Sequence, residues 1–121
     1  MYSKELLKGT LYAIILKMLS EKDRMYGYEM YQEVKEISEG RIVLKDGSLY
    51  PALQKMTSDG LLSFKEEIVG GRVRKYYYIT KKGQKEKTAH VAELKDFLST
   101  LAKIVFPEYK IVWNYLKNSS S

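Results

Sequence analysis

The chain has 121 residues, a hydrophobic content of 45% and a net charge of +6, which suits one compact folded unit and excludes a long disordered chain. It has no cysteine, which excludes disulfides, thiolate metal sites and cysteine nucleophiles and fits a reducing compartment. No signal peptide is recognised, and the apolar segment between Leu6 and Leu19 is too short and too interrupted by polar residues to span a bilayer. We therefore expect a cytoplasmic protein without a membrane partner.

The positive charge is concentrated in the middle of the chain. Residues 41–85 carry 10 basic and 4 acidic side chains, whereas residues 1–40 carry 6 and 7 and residues 86–121 carry 5 and 4. Such a concentration is typical of a protein that binds a polyanion. A basic surface that serves only solubility would show the same count, so charge alone leaves both interpretations open.

Two helices are predicted in the first 40 residues. Apolar side chains recur at helical spacing from Leu6 to Leu19, and a second helix is predicted from about Tyr26 to Ser38. The β-branched run Arg41–Leu44 that follows is compatible with a small strand. The buried stripe of the second helix is predicted to consist of Met30, Val34 and Ile37.

A third, short helix is predicted to have one apolar and one polar side. Proline lacks a backbone N–H and is tolerated in a first helical turn, so Pro51 places the start of the helix near Gly47 or Ser48, with Ser48 as the expected cap. The apolar side consists of Leu49, Ala52, Leu53 and Met56, and the outward side of Ser48, Pro51, Gln54, Lys55 and Ser58. Hydroxyl, amide and ammonium groups are suited to phosphates and base edges.

A basic hairpin follows this helix directly. Two strands, residues 61–68 and 73–79, are predicted on either side of Gly70-Gly71, because glycine permits the positive φ angles of a tight hairpin turn. Three basic residues lie at and just after the turn, and Tyr77 is expected to face the core. A short helix followed by a basic hairpin is the arrangement of a winged helix-turn-helix, which places the helix in a DNA major groove.

A long last helix is predicted from about Lys82 to Val105, with Thr80 as its cap. Its apolar side chains repeat with coiled-coil spacing, and one helix cannot bury so broad a stripe against its own small domain. We therefore expect two copies of this helix to pack together in a homodimer. Pro107 ends the repeat, and a second apolar patch lies between Tyr109 and Leu116. The predicted dimerisation residues are Val91, Leu94, Phe97, Leu98, Leu101, Ile104 and Val105.

Five short segments between residues 26 and 83 form a series. They are Tyr26-Gly27-Tyr28-Glu29, Gly47-Ser48-Leu49-Tyr50-Pro51-Ala52-Leu53, Asp59-Gly60-Leu61-Leu62, Arg74-Lys75-Tyr76-Tyr77 and Ile79-Thr80-Lys81-Lys82-Gly83. In this order and at these spacings they resemble the PadR family of bacterial transcriptional regulators, in its smaller subgroup with a short, single C-terminal helix.

The resemblance implies an α+β, mostly α fold. Residues 1–81 would form the winged helix-turn-helix that binds DNA, and residues 82–121 a C-terminal dimerisation helix and tail. It further implies a homodimer that acts as a repressor on a pseudo-palindromic promoter site in double-stranded DNA. DNA would be released when a phenolic or drug-like effector is sensed.

The resemblance also implies where an effector would bind. Some members of the subgroup bind flat aromatic drugs between the two subunits, beside a tryptophan of the last helix. Alignment from the Tyr76-Tyr77 pair puts Leu94 at about that place, and the only tryptophan of this chain is Trp113. Leu94 and Trp113 are therefore the candidate ligand residues, although packing in the dimer or the core is the favoured role of Trp113. No cofactor is expected.

Nine residues are predicted to contact DNA. Gln54 is the best candidate for reading a base, because a side-chain amide pairs bidentately with adenine. Two of the nine have an equal alternative, since Tyr50 would also fit a packing role and Lys75 a cross-strand pair. The predicted contacts are Ser48, Tyr50, Gln54 and Lys55 in the major groove, Tyr26 and Lys45 on phosphates, and Arg72, Arg74 and Lys75 on the flanking backbone or in the minor groove.

An enzyme is not expected. His90 is the only histidine, no nucleophile and base can be paired, and no set of side chains has the spacing of metal ligands. Gly70-Gly71 is a hairpin turn and not a phosphate-binding loop. The alternative to a DNA-binding regulator is a winged helix that serves only as a protein-interaction module without specific DNA binding. Modules of that kind tend to lose the basic hairpin, which this chain retains.

Overall fold

The computed structural model describes residues 2, 7 and 9–118 of the chain. Over these residues the chain forms five α-helices and one two-stranded antiparallel sheet. None of the described helices combines the length and the apolar character that crossing a membrane requires. The elements are α1 (Leu11–Glu21), α2 (Gly27–Ile37), α3 (Asp46–Ser58), β1 (Leu62–Val69), β2 (Arg72–Ile79), α4 (Lys81–Val105) and α5 (Lys110–Asn118).

The core lies between α1, α2, α3 and the base of the sheet. Each helix contributes residues spaced three or four apart, so that one side of each helix is apolar and packs inward. Tyr77 of β2 closes the core from the sheet at 5% exposure, as predicted. The largest fully buried side chains are Ile15, Leu16, Leu19, Met30, Leu49, Leu53 and Met56.

The first two helices are close to their predictions, with one correction. Leu6 lies outside the described residues, and a turn at Gly9 and Thr10 precedes α1. Met30 and Val34 are buried in α2 as predicted, but Ile37 is 77% exposed, so its assignment to the buried stripe is wrong. Ile37 is the last residue of α2, where the helix has already passed the core, and helical spacing alone does not reveal where a neighbouring element stops.

The predicted strand at Arg41–Leu44 is also wrong. This segment is irregular in the structure, with Leu44 buried in the core and Ile42 packed against it. The additional pairing partner of the sheet is Met25, which forms an isolated antiparallel bridge with Tyr77. The Met25 N–H donates to the Tyr77 carbonyl over 3.2 Å, and the Tyr77 N–H donates to the Met25 carbonyl over 2.8 Å. The turn between α1 and α2 is thereby fixed to the wing.

Helix α3 begins at Asp46, slightly earlier than predicted, and Lys45 occupies the N-cap position without a side-chain hydrogen bond. The assignment of Ser48 as the cap is therefore wrong, because Ser48 lies inside the first turn. Pro51 falls within the second turn, so the Gly47 carbonyl lacks the N–H donor that residue 51 would otherwise supply. Ser48 does not cap the helix and is exposed on the outer side of α3.

The hairpin of β1 and β2 forms the wing. Its register pairs Leu62 with Ile79 and Val69 with Arg72, which leaves a two-residue turn. Gly70 and Gly71 have φ angles of 57° and 78°, as a tight turn matched to the strand twist requires. The predicted hairpin and its glycine turn are therefore confirmed.

Helix α4 is capped by Thr80, whose hydroxyl accepts a 3.0 Å hydrogen bond from the Gly83 N–H, as predicted. Gly83 is buried against the Leu61 carbonyl, so closely that an added Cβ would overlap this oxygen. The start of α4 is thus fixed to the base of the wing. Helix α4 then runs along α1.

The segment after Pro107, predicted only as an apolar patch and tail, contains the additional helix α5. Residues 119–121 of the tail lie outside the described residues. Helix α5 folds back on α4 and covers Ser99 and Ala102, which are both buried. The Ser99 hydroxyl donates a 3.1 Å hydrogen bond to the Trp113 carbonyl. The apolar patch is therefore divided, with Trp113 turned towards α4 and Ile111 and Tyr115 exposed.

Candidate nucleic-acid interface

The outer side of α3 carries only polar groups, a tyrosine and a proline. Four of the predicted DNA contacts lie here, and all four side chains are exposed in the described structure. The opposite side of α3 is fully committed to the core. The orientation of the helix about its own axis is therefore fixed by burial. The four exposed residues are Ser48, Tyr50, Gln54 and Lys55.

Tyr50 both packs and remains accessible. Its ring lies over the first residue of α2, since a Cβ built on Gly27 would be 2.5 Å from the Tyr50 hydroxyl oxygen. Only glycine fits beneath this ring. The close approach joins the first turn of α2 to the second turn of α3, and Tyr50 is still 46% exposed. The packing role and the outward position are therefore compatible in the same side chain.

Lys55 is exposed but has a partner within its own helix. Its ammonium forms an ion pair with Asp59, at 3.0 and 3.1 Å from the two carboxylate oxygens. The hydrogen bond and the charge of Asp59 raise the pKa of Lys55 above its ordinary value. An exposed ion pair of this type contributes little stability, so a phosphate can replace Asp59 as a partner at small cost.

The three basic residues predicted at the wing do not share one surface. Neighbouring residues of a strand point to opposite faces of a sheet. Arg72 and Arg74 therefore lie on one face, and Lys75 lies on the other. The Lys75 ammonium is 3.9 Å from the centre of the Phe64 ring, on the face that also carries Tyr77. The structure thus separates a group that the sequence had suggested as one cluster.

Arg74 and Tyr26, predicted from different elements, are brought together. The guanidinium carbon of Arg74 lies 4.1 Å from the centre of the Tyr26 ring. One guanidinium nitrogen donates a 3.4 Å hydrogen bond to the Tyr76 hydroxyl, and this bond raises the pKa of Arg74 above its ordinary value. The rings of Tyr26 and Tyr76 meet edge to face, 5.5 Å between centres. The N-terminus of α2 and the wing therefore present one continuous surface.

Three residues of this surface were not singled out from the sequence. Arg24, in the turn before α2, forms a 2.6 Å ion pair with Glu67 of β1 and lies 3.8 Å above the centre of the Tyr76 ring. Tyr76 is 8% exposed. The hairpin register would have put Glu67, Arg74 and Tyr76 on one face. No local signal connects Arg24 to Glu67, which lies 43 residues further along the chain.

Lys45 and Arg72 have simpler surroundings. Lys45 is exposed at the N-cap of α3, and Arg72 is exposed at the tip of the wing. The tip projects away from the core, and both of its glycines have open space around them. Each of these two cations is therefore accessible to a polyanion.

The predicted dimerisation residues follow one side of α4. Val91 and Leu94 are partly buried, whereas the later residues of the stripe are exposed, with Ile104 reaching 73%. Helix α5 covers a different side of α4, around Ser99 and Ala102. The exposed residues of the stripe are Phe97, Leu98, Leu101, Ile104 and Val105. Five large apolar side chains within nine residues of α4 are therefore exposed in the described structure.

The two candidate ligand residues lie apart from a cleft beside α1. The Trp113 ring packs under the Lys103 ammonium, 4.7 Å from it, and the indole nitrogen is buried and has no hydrogen-bond partner among the described residues. A cleft of about 770 Å³ lies elsewhere, between the first half of α1, the segment 42–45 and His90. Neither Leu94 nor Trp113 lines it. The lining side chains that the structure describes include Tyr2, Leu11, Tyr12, Ile14, Lys45 and Ser48.

The core consists of three helices, and the third of them, α3, exposes a polar side. Together with the basic wing, this arrangement defines a winged helix-turn-helix protein. This class binds duplex DNA through the exposed helix and the wing. The chain belongs to the PadR-like family of transcriptional regulators, whose pattern matches residues 15–89. It is therefore a DNA-binding transcriptional regulator. The family comprises regulators and not enzymes, so the predictions of family and of a non-enzymatic role are confirmed.

Relatives and solved structures agree with this assignment. An uncharacterized protein of Lysinibacillus sphaericus is 33% identical over 95 residues, which cover 78% of this chain and 83% of that protein. A transcriptional regulator from Clostridium thermocellum superposes with a TM-score of 0.76 at 27% identity, over 87% of this chain and 99% of that one. A PadR-like transcriptional regulator from Bacillus cereus gives a TM-score of 0.71 at 27% identity, over 85% and 98% of the two chains.

Proposed function

We propose that the protein is a ligand-responsive repressor that binds a pseudo-palindromic promoter site as a homodimer in the cytoplasm. The observation that carries the DNA-reading part is the exposed outer side of α3, where hydroxyl, amide and ammonium groups stand clear of the core. In this role Gln54 reads a base, while Ser48 and Tyr50 contact the groove and Lys55 exchanges Asp59 for a phosphate. Tyr26, Lys45, Arg72 and Arg74 hold the flanking backbone, and Lys75 approaches it from the other face of the wing.

The salt dependence of binding tests this placement. We expect Lys55→Ala and Arg74→Ala each to weaken binding to the selected operator. If each residue contacts one phosphate, each substitution also makes the negative slope of log affinity against log salt shallower by about 1. Lys17→Ala is the matched control for Lys55, because Lys17 is also an exposed lysine paired with an acid four residues later, Glu21. An unchanged slope in both variants would refute the placement, and so would an equal change of slope in the control.

The homodimer is supported by the exposed apolar stripe of α4. Helix α5 leaves this stripe uncovered while covering the neighbouring side of the same helix. A second copy related by a two-fold axis would cover both stripes at once and give the paired reading heads that a pseudo-palindromic site requires. We expect sedimentation to give twice the chain mass of 14.1 kDa. A strictly monomeric protein at working concentration would contradict the proposal.

The effector is proposed to enter the cleft beside α1 and not to stack on Trp113. The cleft combines apolar side chains with two tyrosines, Tyr2 and Tyr12, and it reaches Lys45 and Ser48 at the start of α3. A small aromatic molecule bound there would act on the helix that reads DNA. Trp113, in contrast, is occupied by Lys103 and packed on α4.

Calorimetric titration with a phenolic acid and with a flat cationic dye tests the cleft. We expect Ile14→Trp, which fills the cleft, to abolish binding, and Trp113→Phe to preserve it. The reverse result would return the site to Trp113. If Ile14→Trp changes the sedimenting mass and no probe binds, the cleft belongs to the contact with the second copy and the effector proposal fails.

The alternative, a protein-interaction module without specific DNA binding, has one observation in its favour. One face of the wing exposes the apolar side chains Phe64, Ile68 and Val73 beside the Glu66–Lys75 pair, and Ile68 is 79% exposed. Competition in gel shifts separates the two functions. A DNA-binding regulator prefers its selected operator over random duplex, whereas an interaction module shows weak affinity and no preference.

A further inference from the structure

Four side chains between the start of α2 and one face of the wing are in contact in the order cation, ring, ring, cation, and we call this arrangement the wing stack. Arg24 lies 3.8 Å from the centre of the Tyr76 ring, and Arg74 lies 4.1 Å from the centre of the Tyr26 ring. The two rings meet edge to face between them, 5.5 Å apart. The stack thereby connects strand β2 to Arg24 in the turn before α2 and to Tyr26 at the N-cap of α2. Two of its members, Tyr26 and Arg74, are proposed phosphate contacts.

Arg24 is the member that ties the stack to the rest of the wing. Its guanidinium reaches Glu67 on β1 over 2.6 Å, and the hydrogen bond to Glu67 raises the pKa of Arg24 further above its ordinary value. It therefore contacts both strands of the wing from outside the hairpin. The planar guanidinium can stack on a ring and still donate in its own plane, which a lysine ammonium cannot do.

We propose that Arg24 is a positioning residue for DNA binding, which holds the wing so that Tyr26 and Arg74 meet the same stretch of DNA backbone. This inference rests on the proposed DNA-reading function. Arg24 itself acts through Tyr76 and Glu67 and does not contact the DNA. A wing held in place before binding loses less conformational freedom when DNA binds, and the affinity is higher for that reason.

Removing the charge of Glu67 should change the DNA affinity in opposite directions, depending on whether Glu67 acts by repulsion or by holding Arg24. A carboxylate close to the DNA backbone repels it, so removing the charge strengthens binding if electrostatics alone decides. If Glu67 holds Arg24 and the wing, removing its charge weakens binding despite the relief of that repulsion. Glu66, the adjacent residue on the other face, has the same charge, faces Lys75 in the hairpin register and forms no ion pair among the described side chains.

The first experiment compares Glu67→Gln with Glu66→Gln in operator binding. We expect Glu67→Gln to weaken binding about fivefold, the size of effect that one partly exposed ion pair and one cation–π contact support. Glu66→Gln should bind equally or more tightly. Equal or tighter binding by both variants would overturn the inference, because Glu67 would then act only through its charge.

The second experiment follows Arg24 directly. We expect Arg24→Gln to lower affinity about fivefold while leaving the salt slope unchanged, and Arg24→Lys to recover only part of the loss, because lysine keeps the ion pair without the planar stacking. The double variant with Glu67→Gln should be no weaker than Arg24→Gln alone, since both remove the same contact. A dependence of log affinity on log salt that is shallower by about 1 would identify Arg24 as a phosphate contact and reject the positioning role.

Amide hydrogen exchange on the DNA-free protein separates this inference from the proposed function. We expect the amides of Glu67 and Tyr76 to exchange about fivefold faster in Arg24→Gln, with melting showing that the fold is intact. Faster exchange with unchanged DNA affinity would overturn the positioning role. A wild-type protein that does not prefer its operator would refute the proposed function instead, while the exchange data would still decide whether Arg24 holds the wing.

Discussion

The helix-turn-helix and the C-terminal pair of helices bury their apolar side chains to very different extents. All seven of the largest fully buried side chains lie in α1, α2 and α3. In α4, the 25 residues contribute only Gly83, Ser99 and Ala102 to the buried set, and α5 contributes none. The first region completes its core within one chain. The second exposes apolar residues that the described part of the chain does not cover.

This difference indicates two separate sources of stability. Packing of the first region is intramolecular, so its contribution does not depend on protein concentration. In the proposed homodimer a second copy would cover the stripe of α4, and the stability gained in this way would rise with concentration by mass action. The proposed repressor therefore combines two regions. The elements α1 to β2, which we call the reading head, are stable within one chain, and the helices α4 and α5, which we call the arm, are stabilised by association.

The largest expected effect is in the reading head. Leu16→Ala removes a fully buried side chain of α1 and should lower the free energy of unfolding by about 2–5 kcal/mol. Urea denaturation at two protein concentrations measures it, and the loss should be the same at both. Leu101→Ala makes the same chemical change in the arm, and its loss should vary with concentration. Equal concentration dependence in the two variants would remove the distinction between the regions.

The junction between the two regions should be the next most sensitive place. Gly83→Ala puts a methyl group into the Leu61 carbonyl at the base of the wing, so we expect a loss of about 1–3 kcal/mol from the strain. Gly47→Ala is the matched control, because Gly47 is also helical and its added Cβ meets nothing within 4 Å. Thermal melts of both variants measure the effect. Similar melting temperatures would mean that α4 can shift away from β1 without cost.

Local signals predicted most of the reading head. The spacing of Leu49, Leu53 and Met56 fixed the inner side of α3, and the glycine pair fixed the hairpin, because each of these features depends on neighbours in sequence. Thr80 marked the start of α4 for the same reason. These were the elements for which propensity and tertiary packing favour the same structure.

Apart from the cap of α3, which is Lys45 and not Ser48, the failures depend on contacts between distant parts of the chain. Ile37 continues the helical spacing of α2, yet no element of the described chain packs against it. Residues 41–44 have β propensity, but the wing takes Met25 as its additional partner. The ion pair of Arg24 with Glu67 joins residues 43 positions apart. The sequence therefore predicted which side chains of α3 are exposed better than which residues connect α2 to the wing.

A charge introduced into the apolar stripe of α4 tests whether this stripe is the interface for self-association. Ile104→Glu should weaken self-association at least about tenfold, which corresponds to about 1.4 kcal/mol, because association would bury a carboxylate in an apolar interface. Ile37→Glu is the matched control, since both isoleucines are helical and about equally exposed, at 73% and 77%. Analytical ultracentrifugation over a dilution series measures both. Dissociation by the control, or by neither variant, would contradict the assignment of the α4 stripe as the interface.

The smallest expected effect lies in the self-sufficient core and concerns pH. Burial raises the pKa of the Tyr77 hydroxyl above its ordinary value of 10.0, and the nearby Tyr50 adds to the shift. The folded state therefore holds this proton more tightly than the unfolded state. The resulting stability is complete below pH 10 and is lost as the pH rises through the folded pKa. Urea midpoints between pH 9 and pH 11 should fall less steeply in Tyr77→Phe than in the wild type, whereas parallel curves would show that Tyr77 does not titrate with unfolding.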